Sequence, residues 1–199
     1  MAAKGAHIKG SALRECALYV QREFPPDIGS KIVGALPKDM LDALDLHADG
    51  FGFVASTWYP AAYAHRLLES MVAGKPPSAR RLLVHDVAHG AVARGLKGIF
   101  RFVFERIATP ERYARAIQPM WRMLHDTGDR EITIVKPGEA TSRTRNWIGH
   151  HPLVCLFTTE TMAAVFSAMG CTHVTVARTA CVSDDDPECL ATIRWQLPL

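Results

Sequence analysis

The hydrophobic pattern of this chain changes its period near Gly128, and that change limits the folds that the chain can adopt. Before Gly128, apolar residues recur at spacings of three and four, as in helices that face a core. After it, the chain is rich in segments that alternate at a spacing of two, as in strands, with one further helical segment over 158–169. The sequence therefore predicts an α+β fold in which a helical N-terminal two-thirds packs on a C-terminal antiparallel sheet of about four strands.

The length of 199 residues suits a single domain over residues 1–199. The pattern divides it into a helical layer at about 9–127 and a hairpin–helix–hairpin region at about 128–197. Helices are predicted over 11–24, 30–36, 37–46, 60–73, 79–107, 109–126 and 158–169. Strands are predicted over 131–135, 140–147, 172–181 and 188–196, with turns at 136–139 and 183–187.

Charge and terminal sequence argue against several functional classes. The formal net charge of +3 is too small to indicate a nucleic acid or a membrane surface as partner. No apolar run approaches the roughly 20 residues that span a bilayer. The N-terminus lacks the apolar core of a signal peptide, so we expect a cytoplasmic protein with reduced thiols. Because the sequence shows no phosphate-binding glycine loop, nucleophile elbow or paired carboxylates, we expect no enzyme.

Three of the five cysteines form the most informative candidate site. Cys181 and Cys189 flank the turn of the predicted C-terminal hairpin, and Cys155 precedes the helix that leads into that hairpin. Three converging thiolates would begin a tetrahedral zinc site, although small buried apolar residues would show the same spacing. Cys16 and Cys171 are interpreted as core residues.

The chain resembles a known family over most of its length. The resemblance is carried by Trp121–Gly128, Pro152–Cys155, Gly170, Val174–Cys181, Asp185–Cys189 and Ile193–Trp195, and upstream by Lys9–Ala12, Trp58–Pro60 and Leu96–Ile99. These segments are similar to the 4-vinyl reductase domain family, which includes the aromatic-sensing domains of bacterial phenol- and xylene-responsive regulators. In particular, they resemble a stand-alone, uncharacterised family of similar length that is common in myxobacteria.

This resemblance implies the ligand-binding fold that nitric-oxide signalling proteins and Golgi transport proteins share. In the aromatic sensors, the matching cysteines bind structural zinc together with a Glu three residues before the middle cysteine. Arg178 stands at that position here, and a guanidinium cannot ligate a metal ion. The fourth ligand would be His150, His151, Asp186 or water. No cofactor is certain, and zinc is the candidate.

Aromatic residues and a histidine pair complete the candidate sites. We expect an apolar ligand pocket lined by Trp58, Tyr59, Tyr63, Phe100, Phe104 and Trp147, with ordinary core packing as the alternative. His85 and His89 share one helix face and could ligate a metal ion or a haem, but no third ligand is identifiable, and a solvated pair is the alternative.

The expected function is a non-enzymatic ligand-binding or sensory-type domain for an apolar small molecule. It would act through an unidentified protein partner and would form a homodimer, because related sensor domains dimerise. One alternative is an interaction or scaffold module without a small ligand, related to small GTPases or to complex assembly. An arginine- and lysine-rich segment between Arg80 and Arg122 offers a surface for it. A second alternative is a structural zinc protein.

Overall fold

The computed structural model describes residues 5–96 and 109–196. Its helices are α1 (Gly10–Glu23), α2 (Pro26–Gly34), α3 (Lys38–Asp42), α4 (Ala62–Val72), α5 (Pro77–Gly95), α6 (Pro110–Leu124) and α7 (Pro152–Ala168). Its strands are β1 (His7–Lys9), β2 (Trp58–Pro60), β3 (Asp129–Lys136), β4 (Glu139–Arg145), β5 (Thr172–Ala180) and β6 (Cys189–Gln196). The predicted α+β class and the four-stranded antiparallel sheet are confirmed.

The N-terminal helices share one apolar core. The buried faces of α1, α2 and α4 meet there, and β1 pairs with β2 at its edge. Gly10 begins α1 where the helix runs against the backbone of Val54 and the ring of Tyr59, so a Cβ at this position would overlap both. Close packing at the start of α1 therefore requires glycine.

The C-terminal sheet has the strand order β3-β4-β6-β5, with every neighbouring pair antiparallel. The helix α6 packs on β3, and α7 packs on β5 and β6. Ala191, Ile193 and Trp195 alternate along β6 and point into this second core, as the period of two predicted. The sheet thus presents one apolar face to two helices.

The last helix is longer than the sequence predicted. It begins at Pro152 and not at Thr158, and the His151 imidazole accepts a hydrogen bond from the Leu153 amide at its start. The side chains of Thr158 and Thr159 donate to the carbonyl groups four residues earlier, so they lie within the helix. Because α7 packs on α5, α4 and the sheet, it is apolar on several faces and its helical period is weak. Cys155 consequently lies in the first turn of α7 and not before the helix.

The predicted helix over 79–107 is observed only in part. Its first portion is α5, which begins at Pro77 and ends at Gly95, and residues 97–108 lie outside the described part of the chain. Within residues 5–96 and 109–196, no helix has both the length and the apolar character that a membrane span requires.

Candidate metal centre

Three cysteines and one histidine converge where α7 meets the β5–β6 hairpin. The Sγ atom of Cys189 lies 3.6 Å from that of Cys155 and 3.7 Å from that of Cys181, and Cys181 Sγ lies 3.5 Å from His150 Nε2. All four donor atoms lie within 4.8 Å of one another. Ligands of a tetrahedral ion with metal–sulfur bonds of about 2.3 Å are separated by about 3.7 Å. The cluster already has nearly this spacing.

The backbone of the hairpin turn holds Cys181 in place. The Asp186 carboxylate accepts a hydrogen bond from the Cys181 amide at 2.8 Å, and the Cys181 carbonyl accepts one from Asp184 at 2.8 Å. Asp185 adopts a left-handed conformation with φ of 66°, which closes the turn. On the other side of the hairpin turn, Cys189 of β6 is held by its pairing with Thr144 of β4.

The structure distinguishes His150 from the other candidate fourth ligands. His150 belongs to the cluster, whereas His151 Nε2 lies 3.1 Å from a Glu69 carboxylate oxygen and its ring stacks on His65. The Asp186 carboxylate is engaged by the Cys181 amide. Adjacent histidines in a turn point in different directions, so the sequence could not select between them.

Two thiols of this cluster, Cys155 and Cys189, have shifted pKa values. A hydrogen bond from Cys155 lowers the pKa of Cys189 to about 5, and the same interaction raises the pKa of Cys155. The Arg178 guanidinium lies close by, with its Nη1 donating to Cys181 Sγ at 3.5 Å. The negative charge of the metal-free cluster is therefore favoured on Cys189, while Cys155 keeps its proton.

A small cavity of about 30 Å³ adjoins the cluster, and a buried cation faces it. Arg130 is only 6% exposed, lies over the Trp121 ring, and its Nε atom has no hydrogen-bond partner among the described residues. Burial lowers the pKa of Arg130, and the nearby Tyr113, Cys155 and Cys189 oppose that shift. The cavity is lined by Arg130, Ser142, Thr144, Trp147, Cys155, Thr158, Thr159, Met162, Arg178, Cys189, Leu190 and Ala191, with no carboxylate in this set.

Sequence reasoning missed Arg130, although a signal was present. Arg130 and Ile132 alternate on the same face of β3, and Ile132 points into the core. The period of two therefore places Arg130 on the buried face as well. A buried guanidinium needs an opposite charge, and Cys155 and Cys189 line the same cavity as Arg130.

The four described residues of the predicted apolar pocket are not gathered around one cavity. Trp58 is 39% exposed, with the Lys9 ammonium 4.1 Å from its ring centroid. Tyr59 and Tyr63 pack against the N-terminal core, and only Trp147 lines the small cavity. Phe100 and Phe104 lie outside the described residues. The predicted pair His85 and His89 lies elsewhere, on α5 facing α7.

Comparisons with known proteins identify the fold. No family model matches the chain, and no curated protein matches it in sequence. A Fe(II) unliganded H-NOX protein from K. algicida is similar with a TM-score of 0.68 and 12% identity, covering 96% of this chain and 98% of that one. A variant H-NOX protein from S. oneidensis in the Fe(II) ligation state has a TM-score of 0.70 and 11% identity, with coverage of 96% and 98%.

A third similar structure is an oxygen-binding H-NOX domain related to soluble guanylate cyclases, in its oxygen complex. Its TM-score is 0.65 at 7% identity, and 96% of each chain is covered. Identities this low establish a shared fold and nothing finer. The expected fold of nitric-oxide signalling proteins is thereby confirmed.

Two expectations are corrected by these comparisons. The resemblance to the 4-vinyl reductase family is wrong, because the solved structures of similar fold are H-NOX proteins and no family model matches. Short motifs scattered along a chain do not separate families whose turns and strands coincide. The cofactor expectation, with none certain and zinc as candidate, is also wrong, because the fold neighbours are described with Fe(II), and one further structure concerns heme distortion.

Neither of two cavities lined by described residues of this chain suits a haem. The cavity beside the sheet measures about 30 Å³, whereas cofactor pockets measure roughly 300–1,000 Å³. A second concavity of about 370 Å³ is an open groove lined by Arg122, His125, Asp126, Thr127, Gly128 and Asp129. Its lining is polar and solvent-facing, unlike the apolar cleft that would enclose a macrocycle. Neither of these two cavities is therefore an apolar chamber of the size that a haem requires.

Proposed function

We propose that this chain is a non-enzymatic, ligand-binding domain of sensory type that acts through a protein partner. Its ligand is a thiolate-preferring metal ion held by His150, Cys155, Cys181 and Cys189. The observation that carries this proposal is the approach of all four donor atoms to within 4.8 Å of one another. Three thiolates and one imidazole form a soft donor set, which selects a class of metal ions rather than one element.

The charges around the cluster support a bound cation. Three thiolates with one divalent ion carry a single net negative charge. Arg130 and Arg178 face that charge from the cavity, and Arg178 also donates to Cys181. The ligand-bound cluster supplies the opposite charge that buried Arg130 otherwise lacks.

The position of the cluster supports a sensory role. One ion would connect the first turn of α7 to both ends of the β5–β6 turn, so gain or loss of the ion would tighten or release the hairpin relative to the helix. The turn is exposed beyond the cluster, with Val182 at 41% exposure and three aspartates following Ser183. The affinity of a partner that contacts this turn would therefore depend on whether the ion is bound. The small volume of the adjoining cavity, about 30 Å³, supports a bound ion over the apolar molecule expected from the sequence.

Cobalt titration tests the proposal. Metal-stripped protein is expected to develop thiolate-to-Co(II) charge-transfer absorption, and the variant Cys181→Ser is expected to lose it. The control Cys171→Ser should retain the absorption, because Cys171 lies in the second core. Hydrogen exchange in the hairpin turn should slow when the ion binds.

Two results would overturn the proposal: a wild-type protein without thiolate–cobalt absorption, or an unchanged spectrum in Cys181→Ser. A chain that binds a partner equally well with and without metal would instead support the interaction-module alternative.

A further inference from the structure

A second cluster of metal-binding side chains lies between α5 and α7, apart from the cysteines. His85 and His89 are one turn apart on α5, with ring centroids separated by 3.9 Å. Glu160 on α7 faces them, and its Oε2 lies 2.9 Å from His85 Nδ1. One donor atom from each residue lies within 4.8 Å of the other two. Packing of α7 on α5 therefore supplies the third ligand that the sequence did not reveal.

The arrangement leaves one buried polar atom unsatisfied. His85 and Glu160 form an ion pair, which accounts for these two side chains as an ordinary helix–helix contact. His89 is not accounted for, because its Nε2 atom is buried and has no hydrogen-bond partner among the described residues. Burying such a nitrogen without a partner is unfavourable. A metal ion bound through His89 Nε2, together with His85 and Glu160, would satisfy it.

The spacing also suits a metal ion. Neighbouring ligands of an octahedral ion with bonds of about 2.1 Å lie about 3 Å apart, and His85 Nδ1 and Glu160 Oε2 have this separation. The His85 side chain is 43% exposed, while that of Glu160 is 16% exposed, so the cluster is open to solvent at His85. An ion could enter from that side and keep open positions there.

We propose that His85, His89 and Glu160 form an open binding site for a divalent first-row metal ion such as Fe(II), Mn(II) or Co(II). Two imidazoles and one carboxylate on a single face of an ion leave further coordination positions for water or a small exogenous ligand. The site differs in kind from the cysteine cluster, whose four protein donors fill a tetrahedral shell. The two sites therefore prefer different ions and are separable by experiment.

Equilibrium dialysis with Co(II) tests the second site in the full chain. The variant Cys181→Ser is expected to retain one bound Co(II) without thiolate charge-transfer absorption. Adding His89→Ala is expected to abolish that binding, and adding Glu160→Gln is expected to weaken it by about tenfold or more. His47→Ala is the matched control, because His47 is an exposed histidine outside both clusters.

Mn(II), which prefers nitrogen and oxygen ligands to thiolates, provides a second measurement. Loss of the free Mn(II) paramagnetic resonance signal should occur with wild-type and Cys181→Ser proteins and not with His89→Ala. The milder variant Glu160→Gln keeps the test informative if His89→Ala does not fold.

The proposal is overturned if Cys181→Ser protein binds neither ion, or if His89→Ala and Glu160→Gln bind both ions as tightly as their parent. A missing thiolate–cobalt spectrum with intact Mn(II) binding would overturn the cysteine centre alone.

Discussion

Arg178 donates a hydrogen bond to Cys181, with its Nη1 atom 3.5 Å from the sulfur. The sequence places this arginine where a carboxylate ligand was expected, so it argued against a metal ion. In the structure, Arg178 does not take the place of a ligand. It contacts the Cys181 thiol and also pairs with Asp184 at 3.3 Å. A cation in this position stabilises the thiolate instead of displacing the ion.

We expect Arg178→Gln to lower the metal affinity of the cysteine cluster by about tenfold, since outer partners of ligands typically contribute 10–100-fold. Competition with a chromophoric chelator measures the change. Arg143→Gln is the control, because Arg143 pairs with Glu188 on the exposed sheet surface and touches no cluster atom. Equal affinities for Arg178→Gln and the wild type would show that the hydrogen bond to Cys181 has no role.

We expect Arg130→Met to maintain or raise the stability of the metal-free protein and to lower its affinity for the metal ion. Without metal, methionine removes a buried charge whose Nε has no hydrogen-bond partner, so the free energy of unfolding should be equal to or higher than that of the wild type. With metal, the negative cluster loses a nearby cation, so metal affinity should fall. Urea unfolding with and without chelator measures both effects. A metal-free Arg130→Met protein destabilised by more than about 2 kcal/mol would contradict this account of Arg130.

We expect acid to destabilise the fold through His125. The His125 ring stacks on Trp121 and meets Trp147 edge-on, and burial lowers its pKa from 6.5 to about 3. As the pH falls, His125 of the unfolded chain therefore binds a proton near pH 6.5, whereas His125 of the folded chain binds it only near pH 3. The contribution of neutral His125 to the free energy of unfolding is fully present above pH 6.5 and is lost as the pH falls from 6.5 toward 3.

Between pH 7 and pH 5, the wild type should lose about 2 kcal/mol more of its unfolding free energy than His125→Phe, which cannot ionise. Urea denaturation at both pH values gives the difference. The control His47→Gln removes an exposed histidine and should follow the wild type. Parallel losses in His125→Phe and wild type would exclude His125 as the source.

We expect Gly10→Ala and Gly34→Ala to have opposite effects on stability. A Cβ at Gly10 meets the Val54 carbonyl and the Tyr59 ring, so Gly10→Ala should destabilise the protein by about 1–3 kcal/mol. A Cβ at Gly34 meets no atom within 4 Å, so Gly34→Ala at the end of α2 should stabilise it by up to about 1 kcal/mol. Thermal unfolding measures both. Equal melting temperatures for the two variants would refute the close approach at Gly10.

The sequence alone was sufficient for the class of fold and for most helices and strands. The periods of the apolar residues on either side of Gly128 reflect backbone geometry, since a helix and a strand repeat their faces at different spacings. The same periods placed the β5–β6 hairpin, and with it Cys181 and Cys189 on either side of one turn. Local spacing did not locate the start of α7. The sequence predicted this start six residues late, at Thr158 instead of Pro152, because threonines such as Thr158 and Thr159 often cap helices.

The partners of the candidate sites became visible only when the elements packed. Glu160 meets His85 because α7 lies along α5, Arg130 faces the cysteines because β3 and β6 flank β4 in one sheet, and His150 rather than His151 turns toward Cys181. Each contact either joins residues that are far apart in sequence or selects one of two adjacent histidines that the sequence could not distinguish. Such contacts depend on strand register and helix packing, which are set by the burial of whole faces and not by the local pattern around any single residue.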